Sequence, residues 1–192
     1  MPSLIETIGS QLTPQTISAI AGQLGVDERT AQQSIGIALP LLVSALARNT
    51  QSRLGAQSLS RALKKDHDGS ILADVPTAVA QYQAGQGDGI LRHLLGESRP
   101  AVEQTLQRGT NVDAGQLLMM LAPIVMGVLG QMQQKKKLTS TTLSETLLAE
   151  QKHMGGTNSD LMGVVTRLLD ANSDGSMVDD VIGLLGRLAS QK

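Results

Sequence analysis

The densest cluster of ligand-type side chains lies near the C-terminus, in LLDANSDGSMVDDV. Asp170, Asn172 and Asp174 place oxygen ligands at positions one, three and five of a calcium loop, and Gly175 supplies the sharp turn at position six. Ser176 would add a backbone carbonyl at position seven. Position twelve, where a bidentate carboxylate normally closes the shell, is Val181. Asp180 falls one residue short and Asp179 two short. The candidate calcium set is therefore Asp170, Asn172, Asp174, Ser176 and Asp180, with Asp179 as a substitute for the last. A simpler reading covers the same residues. Ser176 and Asp179 have the spacing of a helix capping box, and Asp174-Gly175 is an ordinary turn. That reading needs no missing ligand, and it is preferred.

Other groupings are weaker. The stretch DHDGSILAD holds Asp66, His67, Asp68 and Asp74, but Lys64 stands where the first metal ligand would be, so a turn followed by a helix cap is expected. His67, His93 and His153 are far apart and none has a metal-binding spacing. His93 and Glu97 could share one helix face as a surface pair. Gly85, Gly87 and Gly89 form G-x-G-x-G without the lysine or preceding strand of a phosphate loop, which points to a flexible hinge. No G-x-S-x-G elbow occurs. Lys135, Lys136 and Lys137 form a local basic spot that reads as a solvated connection between helices. Met119, Met120, Met126 and Met132 cluster in one apolar run, and core packing is their first reading; exposed, they would form an adaptable groove.

The elements that must position these groups are helical. Apolar residues make up 41% of the 192-residue chain, enough for one substantial core, yet the aromatic side chains amount to Tyr82 alone. Leu, Ile, Val, Ala and Met must fill the interior, and they suit close helix packing. A formal net charge of -1 and the lack of stacking aromatics disfavour nucleic acid as a partner. Cysteine is absent, so disulfides, thiolate nucleophiles and Cys-based zinc sites are excluded. The opening MPSLIETIGSQL lacks the pattern of a secretory signal. The apolar runs Ile35–Ala47 and Leu117–Gly130 are shorter than the roughly 20 residues of a membrane span, so no span and a cytoplasmic location are expected.

Those two runs also read alike. IALPLLVSAL and LAPIVMGVLG each carry one proline, each follows a Val-Asp step (Val26-Asp27 and Val112-Asp113), and each leads to a polar stretch and a Leu-Ser step. Two similar halves, about 1–84 and 90–154, are expected to bury these runs against each other within one domain of residues 1–154, joined at the glycine-rich stretch 85–89. Thr13-Pro14 should open a helix that closes at Gly25, and Asp27 should cap the next. Pro40 and Pro123 should each kink or briefly break a helix. After the linker-like Gly155–Ser159, residues 160–192 read as a helix-turn-helix appendage. Its stripes, Leu161, Val164, Val165, Leu168 and Leu169, then Val181, Ile182, Leu184, Leu185 and Leu188, are too small to form a core alone. The predicted fold class is all-α.

The proline-centred runs, GDGILRHLLG before the second half and the closing LLDANSDGSMVDDVIGLLG together resemble the YidB-like family of bacterial helical proteins. The resemblance spans nearly the whole chain. It implies a compact helical fold and a bacterial origin, and it carries no catalytic residue and no cofactor. The expected function is a non-enzymatic interaction or structural protein that offers apolar helical surface to itself or to a protein partner. A calcium-responsive module using Asp170–Asp180 is the alternative, and an enzyme with a dispersed site is the weaker one.

Overall fold

The computed structural model describes residues 3–82 and 84–157. The helices are α1 (Leu4–Gly9), α2 (Pro14–Leu24), α3 (Glu28–Asn49), α4 (Arg53–Lys65), α5 (Val75–Ala80), α6 (Ala84–Leu95), α7 (Arg99–Thr110), α8 (Ala114–Lys136) and α9 (Ser140–Thr157), with 3-10 turns at Ser70–Ala73 and Gly96–Ser98. Among the described residues no strand occurs, and the fold is all-α. The appendage at 160–192 lies outside the described residues.

Short polar side chains set the helix starts. Thr13 accepts a hydrogen bond from the Thr16 amide and Pro14 occupies the first helical turn, while Gly25 closes α2 at φ 67°. The Asp27 carboxylate accepts from the Thr30 amide (3.0 Å) and hydroxyl (2.6 Å), which holds its pKa below the usual carboxylate value. Asp113 does the same for α8, accepting from the Gln116 amide at 2.8 Å, directly after Val112 and the left-handed Asn111. Ser3 and Glu6 form a reciprocal capping box on α1. The buried Glu150 of α9 adds a second cap there, because its carboxylate accepts from the Leu4 and Ile5 amides at 3.0 and 3.1 Å.

Both prolines sit inside unbroken helices. A proline lacks the N–H that would bond the carbonyl four residues earlier. For Pro40 that carbonyl belongs to Gly36, an exposed residue that water can reach. For Pro123 it belongs to Met119, and Gly87 of α6 packs directly against it: a Cβ built on Gly87 would fall on the Met119 carbonyl oxygen. The glycine-rich stretch is therefore part of α6, a correction to the expected hinge. Its glycine permits α6 and α8 to approach more closely than any side chain would allow. The linker reading of Gly155–Ser159 is also corrected at its start, because α9 continues through Thr157.

The core runs along α3 and α8. Residues 41–47 and 120–130 are buried without interruption. α8 packs against α6, α4, α3 and α7, and α9 lies across α3 and α4, so elements from both ends of the chain interleave. By length and mean hydropathy (1.4 and 1.5), α3 and α8 are each long and apolar enough to cross a membrane, although the apolar runs within them are shorter. In this fold 67% and 72% of their most apolar stretches are covered by the protein itself.

Candidate cleft beside the α8 proline

Gly69 turns the chain after α4 with φ 94°, and the Asp68 carboxylate accepts from the Ser70 amide at 2.9 Å. Asp74 then caps α5 through the Thr77 amide at 3.1 Å. Both carboxylates are held below their usual pKa, first by the hydrogen bond from the Ser70 amide for Asp68 and by the Thr77 hydroxyl for Asp74. The turn-and-cap reading of DHDGSILAD is what the chain adopts. The connection lies hard against α8 because α8 presents glycines to it. A Cβ on Gly130 would fall on the His67 carbonyl oxygen, and one on Gly127 would come within 2.6 Å of the Ile71 Cγ2. The Gln134 side-chain amide donates to the Asp68 carbonyl at 3.1 Å and pins the turn.

This arrangement leaves a cleft of about 650 Å³. Its floor is Met120, Pro123 and Ile124 of α8. One wall is the α4–α5 connection, with Asp66, His67, Ser70 and Ile71, and the other is the end of α5 with Val79, Gln81 and Tyr82. The volume falls in the range of small-ligand and peptide pockets. A second cavity of about 260 Å³ opens between α4 and α6, lined by Leu59, Ala62, Ile90, His93, Leu94 and Met126 among others, with His67 common to both.

Two polar groups of the cleft, His67 and Tyr82, are shifted toward their neutral forms. Burial pushes the His67 imidazole below its ordinary pKa, against the opposing charge of Asp66. Burial raises the Tyr82 phenol, and the charge of Asp88 adds to the rise while Arg99 opposes it. The Tyr82 hydroxyl is buried and has no hydrogen-bond partner among the described residues. Behind it, Arg99 of α7 binds Asp88 of α6 at 2.6 Å, which joins the two helices, and also binds Glu103 at 2.6 Å, while Asp88 pairs with Arg92 within α6. Asp88 is held below the usual carboxylate range, first by its hydrogen bond from Arg99.

Because His67 folds with a lowered pKa, the unfolded chain binds its proton more tightly. Its contribution to stability is complete above about pH 6.5 and is lost as pH falls through that value toward the folded pKa. Thermal unfolding should therefore show a decline in Tm between pH 7.5 and 5.5, and His67→Asn should flatten that decline.

The other expected sites fare differently. Asp170, Asn172, Asp174, Ser176 and Asp180 lie outside the described residues. Among the described residues no three His, Cys, Asp or Glu side chains gather as a metal site. Met120 and Met126 are buried and Met119 and Met132 half-buried, so the methionine run is core, with Met120 reaching the cleft floor. Gly85, Gly87 and Gly89 belong to α6 and form no phosphate loop. His93 and Glu97 are both exposed. Sequence reasoning did not assemble Tyr82 with His67. The available signal was that the chain's one aromatic residue follows an Asp-Gly turn by fewer than 15 residues.

No curated protein and no solved structure matches the chain. Residues 6–134, well over half of its length, match the family described as bacterial protein of unknown function (DUF937), in keeping with the YidB-like resemblance. They include Pro40, Pro123 and every lining residue of the cleft, and the chain belongs to this bacterial family.

Proposed function

We propose that the protein is a non-enzymatic binding protein of the bacterial cytoplasm, which holds an apolar protein segment, from a second copy or a partner, in the cleft beside Pro123. The observation that carries this reading is the make-up of the cleft: an apolar floor of Met120, Pro123 and Ile124 under a rim that holds a buried phenol without a partner. An occupant with an apolar side chain would cover the floor and pack against Tyr82. The outer surface supports the same location. Among the described residues Leu54, 75% exposed, is the large apolar side chain left in water, so apolar recognition concentrates in the cleft.

Tyr82 makes the test direct, since the chain has no Trp and no other Tyr. Titration with the apolar dye anilinonaphthalene sulfonate should enhance dye emission and change Tyr82 emission together. Ala78→Glu, at a half-buried lining residue of the cleft, should suppress both by about tenfold in affinity, which corresponds to about 1.4 kcal/mol. Unchanged Tyr82 emission under dye, and equally across a dilution series of the protein, would refute the proposal.

A further inference from the structure

We propose that the smaller cavity, between α4 and α6, is a binding site for a small neutral molecule that carries an aromatic ring system of about the size of indole. The site is separate from the cleft beside Pro123, and its occupant belongs to another class. α4 and α6 both pack on α8. Where the two helices border the cavity they carry small residues, Ser58 and Ala62 on α4 and Gly89 on α6. A Cβ built on Gly89 would meet no atom within 4 Å, in contrast to Gly87, which is pressed against the Met119 carbonyl. The wall of α6 is therefore open at Gly89, and a volume of about 260 Å³ remains above α8.

The lining is graded from the mouth inward. Gly89 and His93 are exposed. Ser58, Ala62, His67 and Leu94 are half-buried, and Leu59, Ile90 and Met126 are buried. The cavity is thus an apolar recess with two imidazoles and one hydroxyl nearer the solvent.

The class of ligand follows from that lining. Among the described residues no Lys, Arg, Asp or Glu lines the cavity. A charged molecule entering it would give up hydration and gain no counter-charge. Burial also holds the His67 imidazole toward its neutral form. A neutral apolar molecule instead leaves water for contact with Leu59, Ile90, Leu94 and Met126. Ring systems suit the recess better than chains, because the Met126 thioether favours aromatic neighbours. Size sets the rest. A dry apolar cavity of about 150 Å³ takes one benzene, so this larger one has room for two fused rings. The chain has no aromatic side chain of its own for the space, since Tyr82 lines the other cleft.

Indole itself is the probe, because a chain without Trp adds no background to indole emission excited beyond the tyrosine band. Titration of indole with the full chain should give a saturable blue shift. Gly89→Leu should weaken binding by about tenfold or more, since the new side chain occupies the volume. Its Tm should hold or rise, because leucine is the better helix former. Ala62→Leu fills the cavity from the opposite wall and should act in the same direction. Indoleacetate, the same rings with a carboxylate, should bind about tenfold more weakly than indole. Ala78→Glu, in the cleft beside Pro123, should leave indole binding unchanged, which keeps this result distinct from the test of the larger cleft. The proposal would be overturned by the lack of a saturable shift at millimolar indole. Unchanged affinity in both filling variants, or equal affinity for indoleacetate, would also overturn it. Loss of indole binding in Ala78→Glu, with Gly89→Leu unaffected, would place the rings in the larger cleft and overturn it as well.

Discussion

Gly130→Ala is expected to destabilise the protein by about 3 kcal/mol or more, the range in which overpacking of a rigid core exceeds the usual cost. The added methyl would fall on the His67 carbonyl oxygen, which is backbone and cannot rotate away. Gly130 is fully enclosed on α8, so the helix has no direction in which to retreat. The connection bearing His67 must lift off, and the cleft must open with it. Urea unfolding followed by Tyr82 emission would give both readings at once. Gly22→Ala and Gly36→Ala are the controls. Both glycines are exposed in helices with nothing within 4 Å of a new Cβ, so each should stabilise by about 0.5–1 kcal/mol. A Gly130→Ala variant as stable as these controls would refute the close approach of α8 to the α4–α5 connection.

Glu150→Ala is expected to cost about 1–3 kcal/mol. Its carboxylate, 8% exposed, accepts from two amides of the first turn of α1 and places a negative charge at the positive end of that helix. The variant leaves those amides under the body without their acceptors. Glu150→Gln should recover little, because one of the two facing atoms becomes a donor and the charge is lost. Hydrogen exchange would separate this from a general loosening. Protection should vanish at Leu4 and Ile5 while α3 and α8 keep theirs. Unaltered protection in α1 would show that the Ser3–Glu6 capping box suffices alone.

The parts of this fold that were legible in the sequence are those written in neighbouring residues. Thr13 before Pro14, Gly25 after Leu24 and Asp27 before Glu28 each state a boundary through a hydrogen bond spanning three residues or a backbone angle, and the helices obey them. The Asp-Gly turn at 68–69 and the Asp74 cap were readable for the same reason. What was misread depended on residues distant in the chain. Gly87 looks like a hinge until Met119 of α8 lies against it, and the proline at 123 looks like a break until that same contact shields the carbonyl it orphans. Pro40 needs no partner because Gly36 faces water. The cleft was hidden likewise. Tyr82 and His67 stand 15 residues apart, on no common helix face, and only the glycines of α8 bring their two segments over one floor. No local periodicity encodes an approach of that kind.

The cap that α9 lends to α1 has a temporal consequence. Its donor and acceptor stand 146 residues apart, so the ribosome releases α1 first and Glu150 among the last of the described residues. At roughly 5–20 residues per second, α1 waits several seconds or more for the carboxylate that secures it. During that interval the apolar side chains of Leu4 and Ile8 have no finished seat. Helix α1 is thus made well before α9 can lock it, and a nascent chain stalled before residue 150 should expose α1 to protease.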